Sequence, residues 1–261
     1  NQVFQFIHEE RYMAKGLQKV FLWPDTHNPF HDKRAVSVAL KALAKFKPDV
    51  LVLLGDIMDT YSLSRHEKLP TRSVKYIDEL NSTKELLKKI TKAAPKARKI
   101  FLCGNHEKRL LSYLAQKAPE LYESFSIESE LGLDELGFEY CPYGDHMFIG
   151  KLVVTHDVGH CGINAHKQSL SATGMSVAIG HTHRQSMVIE HTLGTGELIT
   201  GAMCGWLGSN EAMSEYVPQS KIQRFAIHGF AVAHLFPDGT PVISLVPIIK
   251  GKCILNGEII K

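Results

Sequence analysis

Three short apolar runs, each stopped by a burst of polar residues, constrain this chain more than anything else in it. They are "KVFLW" (19–23), "DVLVLLGD" (49–56) and "KIFLCGN" (99–105). The second is too short and too β-branched for a helix of its own, so it reads as a strand buried on both faces. Between the first two runs, Val36, Ala39, Leu40, Leu43 and Phe46 fall at helical spacing, and Pro48 closes the stretch. A second helix is predicted from Val74 to Lys92 and a third from Lys108 to Glu123. Strand–helix–strand–helix–strand predicts right-handed βαβ crossovers, and so an α/β sheet with helices on its faces.

After Gly137 the texture changes. "FEYCPYG", "HMFIGKLVVTH", "SVAIGHTH", "SMVIEHT" and "GELITGA" read as short strands parted by glycine, and only "NAHKQSLSA" among them reads as a helix. "FAVAHLFPDGTPVISLVPII" predicts two strands around a Pro-Asp-Gly turn, either an edge hairpin open to a second subunit or a covered one. No low-complexity linker or repeat parts the two halves. The expectation is therefore one domain over 1–261 with two sheets, an extension over 1–18 and the core over 19–261.

Composition enters mainly through what it excludes. The chain has 261 residues, 44% hydrophobic and 22% charged, which is ample for a sizeable core. A net charge of +3 gives no ground for a nucleic-acid partner. Five cysteines, an odd number with no C-x-x-C pair, argue against a disulfide framework and a thiolate zinc site. Reduced, mostly buried cysteines and a cytoplasmic location are expected. No run approaches the ~18 apolar residues of a membrane span, so no membrane partner is expected. The 14 histidines hint at metal or acid–base chemistry.

Polar bursts close the predicted strands: Asp25-Thr26-His27, Gly55-Asp56-Ile57-Met58-Asp59, Gly104-Asn105-His106-Glu107, Thr155-His156-Asp157 and Gly180-His181-Thr182-His183-Arg184. In an α/β sheet the carboxyl ends of parallel strands face a common crevice, so these bursts converge. Their oxygens and imidazole nitrogens, without thiolate, suit Mn, Fe or Zn. Asp25, His27, Asp56, Asn105, His156, His181 and His183 are too many ligands for one ion. With a bridging carboxylate they give two ions about four ligands each, an arrangement found in many phosphatases and nucleases. His160 is an alternative to His156, which is preferred because it directly follows the strand "KLVVT".

The ordered series D-x-H, G-D-x-x-D, G-N-H-E, H and G-H-x-H resembles the calcineurin-like metallophosphoesterases, and it spans Asp25 to His183. The resemblance implies a four-layer α/β/β/α sandwich of two mixed sheets with a dinuclear centre at one edge. One divalent ion would take Asp25, His27, Asp56 and His183, the other Asp56, Asn105, His156 and His181. Mn is the first candidate, then Fe or Zn. Two such ions and two aspartates leave a +2 excess that suits a phosphoryl group and a bridging hydroxide. The implied activity is hydrolysis of phosphomonoesters or phosphodiesters, with nucleotides and nucleic acids among the possible substrates. His106 would aid the leaving group, oriented by Asp59, and Arg109 and Arg184 are candidates to hold phosphate oxygens.

The protein Ser/Thr phosphatase branch continues G-D-x-x-D with Arg-Gly, whereas Thr60 and Tyr61 follow here, and that branch lacks the second His of G-H-x-H. This points toward the phosphodiesterase and nuclease side of the resemblance. The alternatives are a nuclease on DNA or RNA and a non-catalytic binding module on the same fold. Glu107 has no role assigned, and "GAMCGWLGSN" (201–210) reads as a turn rather than a phosphate loop. The oligomeric state is left open.

Overall fold

The computed structural model describes residues 16–65, 68, 73–213 and 224–261. Most of the expected 1–18 extension therefore lies outside the described residues. In chain order the first strands and helices are β1 (Gln18–Trp23), α1 (Lys33–Phe46), β2 (Val50–Leu53), α2 (Tyr76–Ala93), β3 (Arg98–Leu102), α3 (Arg109–Lys117), α4 (Ile127–Leu131) and β4 (Phe138–Cys141). They are followed by β5 (Met147–Ile149), β6 (Leu152–Thr155), α5 (Ala165–Thr173), β7 (Ser176–Ile179), β8 (Gln185–His191), β9 (Leu198–Cys204) and α6 (Asn210–Met213). The chain ends with β10 (Gly229–Leu235), β11 (Pro241–Pro247) and the small hairpin β12 (Cys253–Leu255) and β13 (Glu258–Ile260).

The first sheet has the order β11-β10-β1-β2-β3-β4, and the second β5-β6-β7-β9-β8. Strands β1 to β4 run parallel, as the crossovers require, while β10 and β11 add antiparallel. In the second sheet β6, β7 and β9 are parallel and both edges are antiparallel. Alternate residues of β1 split between two cores. Phe21 and Trp23 pack under α1 and α2, whereas Val20 and Leu22 face the second sheet's Leu152, Val154, Ala178 and Ala202. The second sheet's far face holds Val153, Val177 and Ile179 against Ala165 and Leu170 of α5. The layers are thus α/β/β/α, as the resemblance implied.

Two local readings are corrected. The third helix stops at Lys117, and Pro119–Ser124 forms a 3-10 turn. Pro119 disfavours helical backbone in the residue before it, and Ala118 lies at φ −152°, ψ 62°. Helix α4 was not anticipated, although its cap is visible in "SIESELG": Ser126 accepts from Ser129 N, and Gly132 ends the helix at φ 65°. The hairpin around Pro-Asp-Gly forms as expected, with β10 inside the sheet and β11 at its edge. Four of the cysteines are buried, Cys161 is exposed, and none is paired. Among the described residues, no helix is long and apolar enough to cross a membrane.

Candidate metal centre

Five strands end at one edge of the sandwich and bring the polar bursts together. Asp25 and His27 follow β1, and Asp56 and Asp59 follow β2. Asn105 and His106 follow β3, His156 follows β6, and His181 and His183 follow β7. The turns are tight enough to force His27, Asp56, His181 and His183 to positive φ, between 51° and 61°. Such backbone costs about 1–3 kcal/mol per residue and gathers at functional sites. Gly104 is required by a close approach, since an added Cβ would lie 2.3 Å from Asp56 N.

The side chains meet in two sets around one carboxylate. Asp25, His27 and His183 bring one donor atom each within 4.8 Å of one another, and so do Asp56, His156 and His181. Asp56 Oδ2 lies between the sets, 3.4 Å from His156 Nε2 and 4.0 Å from His27 Nε2. Its other oxygen is taken by His106 N at 2.8 Å. Asn105 Oδ1 joins the second set at 2.8 Å from His181 Nδ1 and 3.0 Å from His156 Nε2. His156, not His160, is the histidine placed beside Asp56.

The ring nitrogens are ordered by what faces them. The Asp59 carboxylate only accepts, so His27 Nδ1 donates to it at 3.0 Å, and in the neutral ring Nε2 is left as a lone pair. That nitrogen sits 3.0 Å from His183 Nε2, which in turn faces Asp25 Oδ2 at 3.3 Å. His156 likewise donates Nδ1–H to the Leu54 carbonyl at 2.7 Å. Histidines that bind metals almost always donate their other ring N–H to a carboxylate or carbonyl in this way.

His106 lies beside the shared carboxylate, with Nε2 3.8 Å from Asp56 Oδ2, but its ring nitrogens are engaged elsewhere. Arg109 can only donate, so its N–H at 2.9 Å makes His106 Nε2 an acceptor, and Nδ1–H is donated to the Asp59 carbonyl at 2.8 Å. The Asp59 carboxylate lies 3.5 Å from His106 Nδ1, farther than from His27. Arg109 also donates to Asp59 O at 2.9 Å, and is thus engaged with the histidine. Arg184 lies with its guanidinium 4.0 Å from the centre of the Phe225 ring.

The electrostatics follow from burial and crowding. Burial opposes the charge of Asp56, but His106, His156 and His27 around it hold its carboxyl well below the usual range. Asp59 is lowered in the same way, against burial, by His106 and His27. Burial alone would lower His156, yet Asp56 and Asp25 win and push it up to about 10. His183 is lowered by burial, which outweighs its contact with Asp25.

Residues 19–185 match the family model described as calcineurin-like phosphoesterase. The chain belongs to this family. Over 272 aligned residues it is 28% identical to the Gene 54 protein of Mycobacterium phage L5 and 27% identical to that of Mycobacterium phage D29. Each alignment takes in 93% of this chain and 98% of the phage protein. Among solved structures the chain is similar to vacuolar protein sorting 29 from Cryptosporidium parvum, at 15% identity and TM-score 0.45, covering 94% of this chain and 95% of that one. It is also similar to YfcE, a phosphoesterase from E. coli, at 16% identity and TM-score 0.40, covering 87% and 98%.

In this calcineurin-like phosphoesterase the residues fit a divalent ion at each of the two sets. Asp25 Oδ2 is fully buried, and although His183 Nε2 lies 3.3 Å away it makes no aligned hydrogen bond among the described residues, a deficit that a cation between the two would remove. A third grouping of His27, Asp59 and His106 also comes within reach. It fits poorly, because the Arg109 guanidinium already lies 2.9 Å from His106 Nε2 and 3.7 Å from Asp59 Oδ1. A cation there would meet a like charge.

Sequence reasoning missed two supports. Glu107 is buried, and its carboxylate accepts from Asp56 N, Gly104 N and Met58 N. Glu79 of α2, also buried, accepts from Tyr61 N and Ser62 N, so it holds the turn that follows Asp59.

Proposed function

We propose that this protein is a dinuclear metal-dependent phosphoesterase that hydrolyses phosphate mono- or diesters. One observation carries the reading: two His/Asp sets flank one buried carboxylate oxygen, Asp56 Oδ2, and a second buried oxygen, Asp25 Oδ2, faces His183 Nε2 at 3.3 Å without an aligned hydrogen bond among the described residues. Asp25, His27, Asp56 and His183 would hold one ion, and Asp56, Asn105, His156 and His181 the other. Mn²⁺ is the first candidate, given oxygen and imidazole donors without thiolate. Divalent ions there would supply Lewis-acid polarisation of the phosphoryl oxygens and acidify water at neutral pH.

The chain's own residues do the rest. Once Nε2 is released from Arg109, His106 is to take a proton there from solvent water and pass it to the leaving oxygen, returning to the neutral ring whose Nδ1–H is fixed by the Asp59 carbonyl. A substrate oxygen arriving at Nε2 displaces the Arg109 N–H, and the freed guanidinium is then beside that oxygen to bind it. Among substrates, nucleotides or nucleic acid have one observation in their favour. Arg184, which directly follows ligand candidate His183, and Arg224 both lie over Phe225, at 4.0 and 5.1 Å.

The decisive assay is hydrolysis of a chromogenic phosphodiester with added Mn²⁺, wild type against Asp56→Asn. The variant should lose at least ~10²-fold in kcat/KM, since even outer partners of metal ligands cost 10–100-fold. Equal activity, or equal inertness of metal-loaded wild type, would sink the proposal.

A second expectation concerns protons. With His156 raised to about 10, the metal-free site holds a proton that an incoming ion must expel. Mn²⁺ uptake should therefore release protons at pH 7, and affinity should climb with pH by about tenfold per unit for each proton displaced. Calorimetry in buffers of different ionisation heat reads this directly. A heat independent of buffer would count against His156 as a ligand.

A further inference from the structure

The segment "GAMCGWLGSN" has more to do than turn the chain. After β9 its residues 205–208 cross from the second sheet to the first and tie together the carriers of two ligand candidates. Gly205 N donates to Arg184 O at 2.8 Å, and Leu207 N donates to Asp25 O at 2.7 Å. Trp206 N donates to Ile227 O, whose residue in turn donates through its own N to His183 O at 2.9 Å.

The indole of Trp206 is 1% exposed and packs against two imidazoles. It stacks on His183 with centroids 4.6 Å apart and planes 14° apart, and also stacks with His228 at 5.7 Å and 28°. The edge of His27 abuts the same ring at 6.3 Å. The outer imidazole is pinned, because His228 Nε2 donates to Gly208 O at 2.8 Å. Gly208 itself has to be glycine: an added Cβ would lie 2.3 Å from the indole's Cζ3.

The stack answers a question left by the hydrogen bonds. His27 and His156 are each oriented by a bond at Nδ1, from Asp59 and from the Leu54 carbonyl. Among the described residues no hydrogen bond reaches Nδ1 of His183. What stops its ring from turning about Cβ–Cγ is the flat face of Trp206. Stability alone does not call for an indole here. Its Nε1–H is buried with no partner among the described residues, a desolvation cost that phenylalanine would not incur.

We infer that Trp206 is a positioning residue for one of the two metal sites, holding His183 Nε2 toward Asp25 by stacking. The inference rests on the two-ion reading above. It is tested by Mn²⁺ binding to the full chain, measured by calorimetry without substrate, for wild type, Trp206→Leu, Trp206→Phe and His228→Ala. The wild type takes up two equivalents. In Trp206→Leu one equivalent weakens by roughly 10–100-fold, the range for lost outer partners of ligands, and the other is unchanged. Trp206→Phe keeps a flat face and restores binding to within a few-fold. His228→Ala, which removes only the outer ring, weakens the same equivalent by a smaller factor and decides the matter if Trp206→Leu does not fold. Two equivalents bound with wild-type affinity in Trp206→Leu or, if that variant does not fold, in His228→Ala, or both equivalents weakened alike, would overturn the inference. A wild type that takes up fewer than two equivalents instead defeats the two-ion reading, and the inference with it.

Discussion

Glu107→Ala should destabilise the metal-free protein by at least ~3 kcal/mol, the lower end for stranding three buried N–H donors at about 1–3 kcal/mol each. The donors are Gly104 N at 2.9 Å, Asp56 N at 3.0 Å and Met58 N at 2.8 Å, and the carboxylate that accepts them is 2% exposed. Two of them share Oε2, so one oxygen ties the turn after β2 to the turn after β3. Those turns carry Asp56 and Asn105. Burial and the charge of Asp56 push the Glu107 carboxyl upward, and the Met58 N–H pulls it back. In thermal unfolding the loss would read as a Tm lower by roughly 6–12 °C for a chain of this size. Glu107→Gln keeps the volume but can accept at only one of the two positions, so it should fall between. An alanine variant within ~1 kcal/mol of wild type would show that the three donors find other partners.

Glu107 also shows where reading the sequence stops. The chain reveals an acid after Asn105 and His106, but two of its three partners, Asp56 N and Met58 N, lie about fifty residues away, and nothing local marks them. The same limit applies to β10. Its apolar run was readable as a strand, and its turn to β11 was fixed by Pro-Asp-Gly. Its antiparallel place beside β1, with Leu22 opposite Ala231, is a long-range pairing that short-range pattern does not encode.

The first three strands were readable because each is a β-branched or aromatic run closed by a breaker, and parallel strands buried on both faces need such runs. The metal-centre candidates were readable for a related reason. Strand ends in a parallel sheet are placed by topology, so polar bursts there must converge. Glu79 was detectable in principle. Residues 79, 83, 86 and 90 form one helical stripe, all buried, and a glutamate and a threonine in an otherwise apolar stripe signal partners. Trp206 gave no such signal, because an aromatic residue after a strand is ordinary core until its neighbours are known.

His106→Ala should keep both ions and lose rate. The hydrogen bond from His106 to Asp56 comes from its backbone N–H, at 2.8 Å; its ring, 3.8 Å from Asp56 Oδ2, is hydrogen-bonded to Arg109 and the Asp59 carbonyl. Truncating the ring leaves Asp25, His27, Asp56, Asn105, His156, His181 and His183 in place, so Mn²⁺ affinity should stay within a few-fold. Positioned proton donors contribute typically 10²–10⁴-fold, and kcat should fall by about that much. The size of the loss should depend on the ester. A leaving group of low pKa needs no proton, so the variant should approach wild type on an activated aryl ester and fall furthest behind on an alkyl ester. A uniform loss across leaving groups would mean that His106 only positions substrate. Loss of one ion would mean that the His27–Asp59–His106 grouping binds metal despite the guanidinium beside it, and the division of labour between His106 and the ligand sets would have to be redrawn.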